Sequence, residues 1–180
     1  VPEERHADAI RFLLDNMESG LFVSGTPANR THDVPSEEEA PNGYVHIGSP
    51  FFLYFALKTL YKYGYDELAL TSQRRDRGAL LDRNTPTCVE TFKSGKDWTR
   101  SAAHAWSASP AIFLKTDVLG VKAVKPGYAE FTVEPKPSDL TFAKGSVPTP
   151  NGRIYVEWEK KEDGTLNIKC EAPEGCRLVK

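Results

Sequence analysis

The chain has 180 residues, of which 23 are Lys or Arg and 25 are Asp or Glu, for a formal net charge of -2. That balance leaves no electrostatic footprint for nucleic acid or an anionic membrane, and a neutral partner or substrate fits it better. The length can bury a core in one domain or two small ones, no apolar run approaches the roughly 18 residues that span a bilayer, and the opening "VPEERHADAI" is charged rather than a secretion signal.

The first half reads as helical. After Pro2, suited to a first helical turn, Ile10, Leu13, Leu14 and Met17 recur at i, i+3, i+4 and i+7, and Gly20 sits where such a helix would stop. Residues 21–48 carry Pro, Gly, Ser and acidic residues without periodicity and predict a long excursion. Ser49-Pro50 then supplies a cap and first turn for "FFLYFALKTLYKY", which Gly64 ends, and Asp66 is placed to cap a further helix through "ELALTSQRR". The segment from Phe51 to Tyr63 is apolar on nearly every face, which predicts burial all round, against helices this sequence does not contain. "TRSAAHAWSASPAIFLKTDVLG", residues 99–120, predicts another helical stretch, bent or divided at Pro110.

Near Gly120 the hydrophobic period changes from helical to alternating. Ala129, Phe131 and Val133 oppose Glu130, Thr132 and Glu134, and Ile154, Val156 and Trp158 oppose Tyr155, Glu157 and Glu159, the pattern of half-buried strands. Asp163-Gly164 between two alternating runs predicts a hairpin. The second half is therefore expected to be antiparallel β with four or five strands, Trp158 in its core, fewer than the seven or so of a complete sandwich. Cys88, Cys170 and Cys176 have no metal-ligand spacing and leave one unpaired, so neither a disulfide framework nor a zinc site is expected, and no cofactor is.

Several pieces taken together, "GSPFF" at 48–52, "TPTCVETF" at 85–92, "RSAAHAWSASPAIFL" at 100–114 and "AKGSVPTPNGRIYVEW" at 143–158, resemble the C-terminal third of bacterial α-L-rhamnosidases, family 78 of the glycoside hydrolases. The likeness runs over most of residues 44–170. It implies that residues 1–121 are the last part of an (α/α)6 six-hairpin catalytic barrel and that residues 122–180 form an antiparallel β-sandwich, both incomplete in this chain. It also implies cleavage of terminal α-L-rhamnose with inversion, with a carbohydrate substrate and the rest of the parent barrel as partners, and neither nucleic acid nor membrane. The family occurs inside bacteria and in exported form, and a periplasmic or secreted location is favoured over a cytoplasmic one.

Glu90 matches the family's general base. By chemistry alone a lone Glu after a proline-interrupted turn is ordinarily a surface charge; in this company it becomes the candidate that activates water. The family places a Trp directly before that Glu, whereas here Val89 follows Cys88, so the aromatic wall must come from elsewhere, and Trp98 is the best substitute. An inverting hydrolase needs two carboxyl groups about 6.5–9.5 Å apart; Glu90 supplies one, and no segment matches the family's acid motif.

The resemblance places His104 near the sugar, where imidazole could bond a hydroxyl, against the plain reading of a satisfied core histidine. On one regular helix His104 and Trp106 would face different directions. Trp106 reads first as packing, with stacking on a sugar face as the alternative. His46 could line the barrel mouth, though a structural role is more usual. Arg100 could orient a carboxylate or cap a helix, and Asp82 and Asp97 are loop charges or partners of the site. "PSEEEA", 35–40, lacks the spacing of a Ca²⁺ loop and reads as solvated. Two other functions stay open: a non-catalytic carbohydrate-binding or structural module centred on the β half, and another helical-barrel carbohydrate enzyme such as a lyase, for which Lys93, Lys96 and Arg100 would supply cations.

Overall fold

The computed structural model describes residues 2–18, 22–24, 38, 45–47, 49–81, 87–90 and 101–180. Met17 lies on a described helix, but its side chain, like all of residues 82–86 and 91–100, lies outside the described residues; so do Trp98, Asp82, Asp97, Arg100, Lys93, Lys96 and all of "PSEEEA" but Glu38. The chain divides into two compact units, Val1–Thr59 with Thr71–Ala108, and Leu60–Leu70 with Ser109–Lys180. Among the described residues no helix is long and apolar enough to cross a membrane.

In the first unit, Pro2 precedes a single 3-10 turn at Glu3–Arg5, and α1 runs His6–Glu18. Its stripe of Ile10, Leu13 and Leu14 is half-buried, as the spacing predicts. The aperiodic stretch after it contains structure that its composition hides. β1, Phe22–Ser24, pairs in parallel with β2, Val45–Ile47, in the register Phe22↔Val45. Strands of three residues are too short to display a period.

α2, Pro50–Lys62, begins at the proline, with the Ser49 carbonyl accepting from the N–H groups of Phe52 at 3.1 Å and Leu53 at 3.3 Å. It ends where the sequence places its stop. Gly64 takes φ +82°, Tyr65 N–H donates to the Leu60 carbonyl at 2.9 Å, and Gly64 N–H donates to that of Tyr61 at 3.4 Å, the paired closing bonds of a Schellman motif. Among the described residues α2 is covered along one face. Leu53, Leu57 and Leu60, at i, i+4 and i+7, are fully buried, whereas Phe51, Phe52 and Phe55 are 37, 57 and 50 % exposed. A helix that is apolar on two faces does not announce in its sequence which of them is buried; here the leucine stripe is covered and the phenylalanine stripe is open.

α3, Asp66–Leu81, is longer than the predicted segment. Asp66 is its first residue, and its carboxylate accepts from Lys136 Nζ at 2.8 Å. Lys136 also donates to the Tyr61 carbonyl and sits 5.5 Å from the Tyr61 ring centroid, while Tyr61 stacks on Phe113 at 5.4 Å. These contacts hold the turn between α2 and α3 within the second unit.

The helix expected over 99–120 is replaced by shorter pieces. A 3-10 turn at Ala105–Ser107 precedes α4, Ser109–Phe113, and a widened π turn at Leu114–Val118 closes with Leu119 N–H donating to the Leu114 carbonyl at 2.8 Å. Pro110 stands in the first turn of α4, where it lacks no bond a helix would have used, so it starts a helix instead of bending one.

The rest of the second unit is a β domain of two three-stranded sheets. One has the order β3 (Val121–Ala123), β4 (Glu130–Val133), β8 (Arg177–Leu178); the other has β5 (Phe142–Thr149), β6 (Gly152–Lys160), β7 (Leu166–Glu171). Every pairing in these sheets is antiparallel except β4 with β8, which is parallel and joins Glu130 to Arg177, a departure from the all-antiparallel expectation. Six strands are present where the pattern predicts four or five, because β3 and β8 are too short to show alternation. Val121 and Phe131 of one sheet share an apolar cluster with Val147, Ile154, Val156 and Trp158 of the other. The predicted alternation of β6 holds, with Ile154 and Trp158 fully buried and Tyr155 53 % exposed. Ala129 departs from it, being exposed at the end of a 3-10 turn. Trp158 Nε1–H donates to the Val118 carbonyl at 3.0 Å, which satisfies the one polar group this indole carries into the core.

The Asp163-Gly164 hairpin forms. Asp163 Oδ1 accepts from Thr165 N–H at 2.9 Å and from its hydroxyl at 2.6 Å, and Gly164 has φ +83°.

Candidate active site

In the first unit, residues 87–90 run beside residues 101–104 in the opposite direction. Glu90 N–H donates to the Ser101 carbonyl at 3.0 Å, His104 N–H donates to that of Cys88 at 2.6 Å, and the Thr87 hydroxyl donates to that of Ala102. Small residues make this approach possible: "SAA" at 101–103 offers no bulk that would hold the backbones apart. The Ser107 hydroxyl reaches back to the Val89 carbonyl, and Trp106 Nε1–H donates to the Glu90 carbonyl at 3.3 Å. Glu90 is thereby fixed through its own main chain from two sides.

Glu90 is half-buried, and its Oε2 accepts the Ser101 N–H at 3.0 Å. A backbone N–H at this distance orients one oxygen of the carboxylate. Val89, at the position where the resemblance expects Trp, is 2 % exposed and packs inward.

His104 and Trp106 are brought together, contrary to the helical expectation. His104 is extended, with φ -129° and ψ 117°, and Trp106 lies in the turn that follows; their ring centroids are 4.0 Å apart and inclined by 32°. His104 Nδ1 is buried without a hydrogen-bond partner among the described residues. Trp106 continues the aromatic row to Phe51 at 5.7 Å, and Phe51 to Phe55 at 5.4 Å. Trp106 is 39 % exposed.

Of the residues singled out in the sequence, Glu90, His104 and Trp106 meet in one place. His46 is on β2, paired by backbone with Val23, and its side chain lies outside the described residues, as does all of Trp98. Three residues of the site carry no functional signal in the sequence. Phe51 reads there as helix packing alone, and Ser101 and Ser107 have no informative spacing, because their roles depend on contacts 11 and 18 residues away. Among the described residues no group of three or more His, Cys, Asp or Glu could hold a metal ion, and Cys88, Cys170 and Cys176 are free thiols.

Residues 120–179 match the family described as the bacterial alpha-L-rhamnosidase C-terminal domain. An alpha-L-rhamnosidase of Alteromonas sp. (strain LOR) is 46 % identical over 48 residues, 26 % of this chain and 5 % of that protein. The crystal structure of a GH78 family rhamnosidase of Bacillus sp. GL1 covers 80 % of this chain at 38 % identity with a TM-score of 0.68, and the match takes in 17 % of that protein. The alpha-L-rhamnosidase of Dictyoglumus thermophilum, 20 % identical, shares the fold over 99 % of this chain with a TM-score of 0.69, over 18 % of its own length. The chain thus spans less than a fifth of each of these proteins.

Proposed function

We propose, from the premise that residues 120–179 belong to the bacterial α-L-rhamnosidase C-terminal domain family and that the chain is similar to the C-terminal portion of family 78 enzymes, that this polypeptide is part of a glycoside hydrolase that removes terminal α-L-rhamnose with inversion. In this reading residues 1–121 are the end of the catalytic (α/α)6 barrel and 122–180 the β-sandwich that follows it in the chain. Glu90 is the general base and the acid that protonates the leaving oxygen lies outside this chain.

The observation that carries the role of Glu90 is the double fastening of its main chain to Ser101 and Trp106 while Ser101 N–H holds one carboxylate oxygen at 3.0 Å. Such restraint is wasteful for a solvated loop charge and useful for a base, whose lone pair must aim at a water beside the anomeric carbon. The exposed row of Trp106 and Phe51 offers a face for the apolar side of a deoxy sugar, and His104 lies against it as a candidate partner for a hydroxyl. Hydrolysis of an aryl α-L-rhamnoside by the intact parent protein is expected to fall by about 10²–10⁴-fold in kcat on Glu90→Gln, the usual loss for a general base. Unchanged turnover would remove Glu90 from the mechanism.

A second reading, a carbohydrate-binding or structural module, is favoured by one observation: the family match covers the β domain and stops short of Glu90. It predicts sugar affinity that survives in residues 121–180 alone.

A further inference from the structure

The outward face of β5, β6 and β7 carries no role in the proposed hydrolysis, and its side chains are laid out in two cross-strand rows. Register puts Lys144, Glu157 and Lys169 in the first, and Ser146, Tyr155 and Glu171 in the second. Members of a row stand within about 5.5 Å of their neighbours at the backbone. Between the rows lies a cavity of about 420 Å³ lined by these six side chains, with Gly145 and Val156 contributing beneath them. That volume falls within the ~300–1,000 Å³ of small-ligand sites.

The chemistry of the lining is specific. Its two ammonium groups stand among two carboxylates, with the Arg153 guanidinium at the edge beside Ser146. Tyr155 is 53 % exposed and presents both a ring face and a phenol. Lys144 Nζ holds Glu157 Oε2 at 3.1 Å, and this hydrogen bond, then the charges of Lys144 and Lys169, keep the Glu157 carboxyl below its ordinary 4.5. The Ser146 oxygen accepts from Arg153 at 2.8 Å, which leaves its own proton to donate outward. An aromatic face ringed by donors and acceptors of both kinds matches a ligand with an apolar C–H face and a rim of hydroxyls, each of which both donates and accepts.

We propose that the outer face of β5–β6–β7 is a second, non-catalytic site that binds a neutral saccharide, with the sugar ring over Tyr155 and its hydroxyls on Ser146, Glu157, Glu171 and the two lysines. The site lies in the β domain and does not depend on Glu90 being a base. A plain ladder of surface ion pairs would need neither the cavity nor an open tyrosine between its charges.

The test is a titration of the ¹⁵N-labelled 180-residue chain with L-rhamnose, D-galactose and D-glucose as methyl glycosides, with D-glucuronate as the charged control. The expected result is saturable shifts at the amides of residues 144–146, 155–157 and 169–171 with at least one neutral sugar, and a weaker response to glucuronate. Tyr155→Ala is expected to raise Kd by about tenfold, while Tyr155→Phe, which keeps the ring, retains most of the affinity. Absence of shifts on these strands for all three sugars, an equal response to glucuronate, or affinity untouched by Tyr155→Ala would overturn the proposal. A rhamnosidase indifferent to Glu90→Gln would leave it standing, so the two readings fail separately.

Discussion

Gly120 takes φ +86°, and a β-carbon built on it would stand 2.3 Å from the Pro135 nitrogen and 2.4 Å from the Glu134 carbonyl carbon. Those neighbours are backbone and cannot step aside, and Glu134 N–H is bonded to the Gly120 carbonyl at 2.9 Å. Gly120→Ala therefore adds steric overlap to the cost of a left-handed residue, and about 3 kcal/mol or more of stability should disappear in denaturant unfolding. Glu130 offers a different kind of control. Hydrogen bonds from Lys125 and then Arg177 hold its carboxyl below the ordinary 4.5. A carboxylate depressed on folding adds stability that is present above its unfolded value and is lost as pH falls through its folded one. Glu130→Gln is thus expected to lower the unfolding midpoint at pH 7, and the difference from the parent chain should close as pH falls below about 4.5. A difference constant from pH 7 to 3 would mean that the ion pairs contribute nothing.

Between elements, the clearest contact is the Lys136 ammonium, which pairs with Asp66 at 2.8 Å and bonds the Tyr61 carbonyl, 70 and 75 residues away. Both partners sit at the α2–α3 turn, which is itself set by Gly64. Because Lys136 and the Asp66 carboxylate are only about a quarter exposed, Lys136→Met leaves a charge with poor access to water. A loss of about 1–3 kcal/mol is expected by thermal or denaturant unfolding. Asp66→Asn combined with Lys136→Met should cost less than the sum of the two single changes, since the second removes a partner already lost.

At the scale of the whole molecule, the proposed mechanism needs two carboxyl groups where the candidate site offers Glu90 among the described residues, and the chain spans only 17 % of the GH78 rhamnosidase of Bacillus sp. GL1. Under the proposed function, the 180-residue polypeptide made by itself is expected to leave an aryl α-L-rhamnoside intact while the parent protein cleaves it. Turnover by the 180 residues that Glu90→Gln abolishes would put both reacting carboxyls within this chain. The open stripe of Phe51, Phe52 and Phe55 fits the same picture, since a helix with two apolar faces has one more than this chain covers.

How much of this is legible in the sequence depends on the range of the interactions concerned. The alternation along Ile154–Trp158, the Asp163-Gly164 hairpin and the Gly64 stop of α2 are all readable, because each rests on residues within a few positions of one another. The proximity of Glu90 to the "HAW" segment is suggested by family likeness; spacing alone would set His104 and Trp106 apart. Their stacking exists because residues 101–104 run extended beside 87–90, and that pairing depends on contacts more than ten residues apart. The sequence by itself determined charge balance, the change of period near Gly120, and most helix and strand centres. Only the tertiary structure decided which face of α2 is covered, that β8 joins β4 in parallel, that Gly120 must be glycine, and that six side chains of β5–β7 line one open cavity. Local preference acts through a few neighbouring dihedrals, whereas each of these last features requires segments far apart in the chain to arrive at the same place.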